Sequence, residues 1–174
     1  MDTGTYGKHV GEVEYENHKL FLKGGIMAPS IVTYYESDGT LETVFITGKV
    51  ISDSDYSRDQ AVSICLKLIT EVEKLHTLGY LHGNLSPTNV LVGDDGNVYL
   101  LDFNMSSEIM NASIEIEEEM MGLLRLLILV MSSEMITVYN LMMLCRKTMS
   151  SRMPLELKCF VTYDTLRETV LLRK

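Results

Sequence analysis

Two short segments, HGNLSPTN at residues 82–89 and LLDFN at residues 100–104, place the strongest constraint on the fold. The run between them contains two β-rich stretches around an Asp-Gly pair, which supplies the positive φ of a tight hairpin. Asp102 lies 18 positions after Asn84. Two polar segments at this spacing, bridged by a hairpin, rarely occur together by chance, whereas a lone Asp-Phe is common.

The residue types in these segments suit phosphoryl transfer, which needs a metal-bound triphosphate held in line and a carboxylate that orients the attacking group. Protein kinases carry H-R-D-L-x-x-x-N and D-F-G for this purpose. His82, Asn89 and Asp102 match the His, the Asn and the second Asp of these motifs. Residues 12–131 therefore resemble the protein-kinase-like superfamily, which implies an α+β fold, here with a truncated N-lobe and a mainly helical C-lobe.

One branch of the superfamily is more similar than the others. Gly83, in place of the Arg of H-R-D, resembles the small atypical kinases and the aminoglycoside and choline kinases. Residues 25–50 are similar to the helix-C-to-hinge segment of the small atypical kinase of the KEOPS complex, which serves threonylcarbamoylation of tRNA adenosine. DFNMS at 102–106 resembles that family's D-F-G-L-S, and residues 166–174 resemble its basic tail. A short activation segment is expected from this resemblance.

The resemblance assigns roles to five residues. Asn89 and Asp102 would hold Mg²⁺, Asn84 stands at the position of the base Asp, and His82 would brace the loop from inside. Glu118 would take the place of the Asp that opens helix F and braces the catalytic loop. A structural alternative stays open, in which Asn89 caps the loop and Asp102 accepts backbone hydrogen bonds.

Several features predict impaired chemistry. The amide of Asn84 can hydrogen-bond a hydroxyl but cannot take its proton near neutral pH. Ser86 replaces the Lys usual in this loop, and Asn104 replaces the Gly of D-F-G. If Glu16 is the ion-pairing Glu of helix C, few residues precede it, and TGTYGKH at 3–9 is not a phosphate-covering glycine loop. Weak or absent binding of ATP and Mg²⁺ is expected.

The remaining elements follow from periodicity and capping. Ser57 and Gln60 have the spacing of a capping box, and an apolar stripe follows as far as Gly79. The resemblance divides the chain into a truncated N-lobe, 1–50, and a C-lobe, 51–174. The other predicted elements are a helix over 11–23, strands within 30–37 and 41–51 around Asp38-Gly39, and helices over 115–131 and 134–147.

Composition limits the classes of function. A net charge of −9 and a pI near 4.9 argue against direct binding of nucleic-acid phosphates. Three dispersed cysteines fit neither a disulfide framework nor a zinc site, which indicates a reducing compartment, cytoplasmic or nuclear. The longest apolar run, residues 120–131, is too short to span a bilayer.

Three hypotheses follow for function. The first is a degenerate KEOPS-type kinase that binds protein partners, with weak or no ATP turnover. The second is a pseudokinase fragment that regulates an active kinase by mimicry. The third, a small-molecule phosphotransferase, is disfavoured because Asn84 replaces the base that its reaction requires.

Overall fold

The structure is a computed structural model and describes residues 3–52, 55–131, 167–168 and 170–171. The first element is helix α1, Thr3–Lys23. It ends in a glycine turn, in which Gly25 has a φ of 79° and Ile26 N–H donates to Phe21 O over 3.0 Å. The predicted helix is confirmed but begins earlier, so TGTYGKH is helical and forms no phosphate-covering loop.

A hairpin follows, formed by β1, Ile31–Tyr35, and β2, Thr40–Thr43, which pair antiparallel around the predicted Asp-Gly turn. The single strand expected over 41–51 is wrong, because β3, Gly48–Val50, leaves the hairpin and pairs with a strand of the second half. Gly48 permits this pairing, since a Cβ there would lie 2.3 Å from Val92 O.

Helix α2, Arg58–Thr77, begins at the predicted capping box. Ser57 Oγ accepts from Gln60 N–H, and the Gln60 side chain accepts from Ser57 N–H. The predicted stripe is confirmed as the buried face of the helix, which packs against helix α3, Ala112–Met131. That stripe consists of Ala61, Cys65, Leu68, Val72 and Leu75.

Short strands carry the loop between these helices. The elements are β4, Tyr80–Leu81; a 3-10 turn, Pro87–Asn89; β5, Val90–Gly93; β6, Val98–Leu100; and β7, Ser107–Glu108. They form a three-stranded sheet in the order β3-β5-β6 and the pair β4-β7, which lies on both sides of the loop. The predicted hairpin around Asp95-Gly96 is confirmed as β5 and β6.

The core lies between α2, α3 and the inner face of α1, where Phe21, Leu68, Phe103 and Leu123 are fully buried. The α+β class is confirmed, as is the helix predicted over 115–131. The helix predicted over 134–147 lies outside the described residues, and the division at residue 50 stays a prediction. Within the described residues, no helix has the length and apolarity needed to cross a membrane.

Candidate active site

One buried carboxylate holds the loop at 82–89 in place. Glu119 of α3 accepts the backbone N–H groups of His82 and Gly83, each over 2.9 Å. Its Oε1 also lies 3.0 Å from His76 Nε2. Burial raises the pKa of Glu119, but the hydrogen bonds from His76 and from the two loop amides outweigh it, so the pKa lies below its ordinary value. An ionised carboxylate therefore anchors the loop.

The expectation that Glu118 braces the loop is wrong by one residue. Glu118 is exposed on α3, whereas Glu119 is 8% exposed. Adjacent helical residues point about 100° apart, so only one of them can face the loop. His76, near the end of α2, forms a buried pair with Glu119.

His82 lies in the interior, as its predicted bracing role requires, but it does not use its ring nitrogens. Neither nitrogen has a hydrogen-bond partner among the described residues. Its backbone carbonyl accepts from Ser106 Oγ over 2.9 Å, and its ring packs against Phe103 with centroids 5.3 Å apart. Burial lowers the pKa of His82, against the raising effects of Glu119 and Asp102. A neutral imidazole filling the core is the form this packing favours.

Asn84 and Asn89 are joined across the loop. Asn84 is exposed, and its backbone carbonyl accepts from Asn89 Nδ2 over 2.9 Å. Asn89 is buried, and the nearest donor to its Oδ1 is Thr88 Oγ1 at 3.4 Å. The nitrogen of the Asn89 amide thus closes the loop, as expected if Asn89 caps the loop. The oxygen of the same amide retains the capacity to bind a cation.

Asp102 follows β6 in an uncommon backbone conformation. Its φ is 63°, and in the described part of the chain it is the only residue other than glycine with a positive φ. Leu101 N–H donates to Asn89 O over 2.9 Å, which places Asp102 beside the loop. A left-handed Asp costs about 1–2 kcal/mol and is held only where neighbouring contacts fix it. Asn104, by contrast, has no positive φ and needs no glycine.

Phe103 connects this site to α1. Its ring is fully buried and packs edge-on against His18 and Phe21, with centroids 5.2 and 5.0 Å away. Its backbone carbonyl accepts from Asn17 Nδ2 over 2.9 Å. Two histidines, His18 and His82, therefore flank Phe103 within one cluster of rings.

The Glu of helix C was placed wrongly at Glu16. Glu16 is exposed and lies 3.6 Å from Lys19 on the same helix. Glu14 faces inward, with Oε1 3.8 Å from His18 Nδ1 and Oε2 buried without a hydrogen-bond partner among the described residues. Glu14 lies one turn before His18 and so shares the face that meets Phe103.

The segment after Asp102 is short and closely packed. Helix α3 begins at Ala112, only ten positions after Asp102. Gly83 has a φ of 75°, and a Cβ there would lie 2.1 Å from Met105 O. The loop and this segment therefore approach each other through a position that only glycine fills without displacing the backbone.

The donor set fits a Mg²⁺ bound together with a nucleotide. Mg²⁺ is commonly held by one or two carboxylates while phosphates and water complete its six oxygens. Asp102 would supply a carboxylate and Asn89 an amide oxygen. Within the described residues, no three His, Cys, Asp or Glu side chains gather as an independent metal site. The metal-binding role of Asn89 and Asp102 stays a prediction.

Comparison with known families agrees with this arrangement. The family model described as protein tyrosine and serine/threonine kinase matches residues 16–141. The structure contains a kinase-type loop and an Asp-Phe segment, and a Glu on a helix braces the loop. The chain belongs to the protein tyrosine and serine/threonine kinase family, whose members use ATP with Mg²⁺.

Similar proteins cover only part of this chain, and the chain spans a small part of them. A probable cell division protein kinase of Encephalitozoon cuniculi is 36% identical over 37% of this chain and 21% of its own length. Serine/threonine-protein kinase sid2 of Schizosaccharomyces pombe is 38% identical over 36% of this chain and 10% of its own. Serine/threonine-protein kinase 16 of Rattus norvegicus is 34% identical over 35% and 19%.

The fold has a solved counterpart. The crystal structure of monomeric WbdD superposes with a TM-score of 0.61 at 17% identity, covering 96% of this chain and 37% of that chain. At this identity the likeness concerns the fold alone.

Two groups at the site escaped sequence reasoning, namely the loop anchor Glu119 and the α1 residues Glu14, Asn17 and His18. For Glu119 a signal existed, since Leu123, Leu126 and Val130 follow it at helical spacing and are buried. For Asn17 of α1 no signal existed, because its hydrogen-bond partners, Phe103 O and Ser106 O, lie more than 80 positions away.

Proposed function

We propose that this chain is a partner-binding kinase-fold subunit of the KEOPS type, linked to threonylcarbamoyl modification of tRNA adenosine. In this proposal it binds ATP and Mg²⁺ weakly through Asn89 and Asp102 and transfers phosphoryl groups slowly or not at all. The resemblance of residues 25–50 to the KEOPS kinase supports the choice of partner.

One observation carries the catalytic part of the proposal. The loop is fully assembled, yet Asn84 presents an amide at the position where a carboxylate would accept a proton. General-base assistance is worth about 10²- to 10⁴-fold in rate. Ser86 stands at the position of the usual Lys, so the transferring phosphate also lacks the positive charge that this Lys would place beside it.

The short segment after Asp102 supports the same choice. Nine residues, 103–111, connect Asp102 to α3, and part of this length forms β7 against β4. A conventional signalling kinase needs a longer segment to present a peptide. The short connection suits a kinase whose role depends on a protein complex.

ATP hydrolysis by the wild type and by Asn84→Asp tests the catalytic part. If the remaining site is functional, Asn84→Asp should raise turnover by at least tenfold, since the new carboxylate restores a proton acceptor. Asn111→Asp is the matched control, because it makes the same change at an exposed position before α3. Turnover by the wild type at about 1–100 per second, the usual range of kinases, would contradict the proposal.

Partner capture tests the biological part. Co-purification of the full chain with a tRNA-modifying complex, together with a fall in threonylcarbamoyl-adenosine after deletion, is expected. Stable association with an active kinase, unaffected by Asp102→Ala, would instead establish regulation by mimicry.

A further inference from the structure

The hairpin β1–β2 presents an open strand edge. The two strands form a sheet by themselves, and no other strand in the described ranges pairs with them. Three of the four residues of β2 are exposed. Val44 N–H donates back to Ser30 O over 2.8 Å, so strand alternation turns the N–H and C=O groups of Leu41 and Thr43 away from β1. An edge of this kind is a template for another strand.

Apolar side chains lie bare beside this edge. Phe45, two residues after β2, is 85% exposed, and the adjacent Val44 is 45% exposed. Val32 on β1 is 61% exposed. Single exposed apolar residues are ordinary, but three within or just after one small hairpin give a partner apolar surface to cover. Covering a Phe side chain contributes appreciably to binding because apolar surface leaves water.

The surroundings of the edge are acidic. Burial raises the pKa of the Tyr34 hydroxyl, and four nearby carboxylates raise it further. These carboxylates belong to Glu12 and Glu16 on α1 and to Glu36 and Asp38 in the hairpin turn. Glu42 adds another on β2 itself. Lys19, 3.6 Å from Glu16, and Lys8, whose backbone lies against Gly39 in the turn, offset only part of this charge.

We propose that β2 pairs with an extended lysine- or arginine-rich segment of a partner protein. The segment adds a strand at Leu41 and Thr43, covers Phe45 and neutralises the carboxylates around the hairpin. A second copy of this chain is disfavoured as the occupant, since it would bring the same carboxylates to the interface. The inference rests on the partner-binding part of the proposed function and specifies the chemistry of that partner.

A labelled ten-residue peptide of alternating Lys and Val is the probe, titrated with the full chain and followed by fluorescence anisotropy. A second peptide, N-methylated at every residue, keeps the charge but cannot donate strand hydrogen bonds from either of its edges. Thr43→Pro removes an outward N–H, and Glu42→Lys reverses a charge at the edge. Glu118→Lys makes the same charge change at an exposed position of α3 and serves as the matched control.

The inference expects saturable binding that N-methylation, Thr43→Pro and Glu42→Lys each weaken at least tenfold, with Glu118→Lys unchanged. Absent binding, or equal binding of the N-methylated peptide, would overturn it. So would a dimer of the unliganded chain that Thr43→Pro dissociates, which would identify a second copy as the occupant. None of these readouts uses nucleotide or tRNA, so they are independent of the tests of the proposed function.

Discussion

At the scale of single residues, Glu119 determines whether the loop keeps its shape. Its buried carboxylate receives three hydrogen bonds. No other side chain in the described part of the chain accepts the same two backbone N–H groups of the loop. Its substitution should therefore affect the fold before it affects chemistry.

We expect Glu119→Gln to lower the free energy of unfolding by about 2 kcal/mol near neutral pH, because three donors then face a neutral amide. Glu118→Gln, the adjacent exposed control, should change it by less than about 0.5 kcal/mol. Because the pKa of Glu119 lies below 4.5, its contribution is present above that pH and is lost on acidification below it. Urea unfolding between about pH 3 and 7 measures both effects. Equal losses in the two variants would contradict this role.

His82 predicts a second, separate pH dependence. Its pKa is below 6.5 in the folded chain, so the unfolded chain takes up a proton first as the pH falls. Stability should fall below about pH 6.5, by at most about 1.4 kcal/mol per pH unit from this residue. His82→Phe should reduce that slope and keep the ring packing, whereas His9→Phe, at an exposed position, should not. Urea unfolding across this pH range measures the slope of the unfolding free energy with pH. An unchanged slope in His82→Phe would contradict the assignment of this pH dependence to His82.

At the same scale, sequence reasoning identified the loop residues but misplaced two carboxylates. The spacing of Asn84, Asn89 and Asp102 follows from local turns and a hairpin, which sequence patterns predict well. Glu119 acts through contacts between distant elements, and Glu14 faces inward beside His18 of the same helix. Which Glu faces inward depends on helix rotation, which a motif alone does not define.

At the scale of elements, capping and turn residues predicted most boundaries. The Ser57–Gln60 box gave the start of α2, and the Asp-Gly pairs gave both hairpins. The partner of β3 was not predictable, because residues 41–51 read as a continuous β-rich run. Its pairing depends on the close approach of Gly48 to Val92, a tertiary contact.

The approach between the loop and the segment after Asp102 can be tested with two glycines. Gly79 and Gly83 both have positive φ, but only Gly83 would bring a Cβ against backbone. Gly79→Ala should cost about 1 kcal/mol through backbone strain alone. Gly83→Ala should cost at least about 2 kcal/mol more, since Met105 must move. Equal costs in denaturant unfolding would show that this contact does not constrain the loop.

At the scale of the whole molecule, the kinase fold is retained where local and tertiary contacts agree. The loop, the Asp-Phe segment and α3 are mutually hydrogen-bonded or packed, and Phe103 joins them to α1. The inward Oε2 of Glu14 and the open edge of β2 are among the parts left without hydrogen-bond partners in the described residues. In the proposed function, Asn89 and Asp102 hold ATP with Mg²⁺ weakly, and the edge of β2 binds a partner protein.

A thermal-shift titration with ATP and Mg²⁺ tests this account most directly, using the wild type, Asp102→Ala and the exposed control Asp94→Ala. A ligand that binds only the native state stabilises by RT ln(1 + [L]/Kd), so a Kd near ~1 mM gives about 1.4 kcal/mol at ~10 mM ATP. We predict a wild-type rise in Tm of roughly 3–5 °C, lost in Asp102→Ala and kept in Asp94→Ala. An equal rise in Asp102→Ala, or saturation at micromolar ATP, would contradict it.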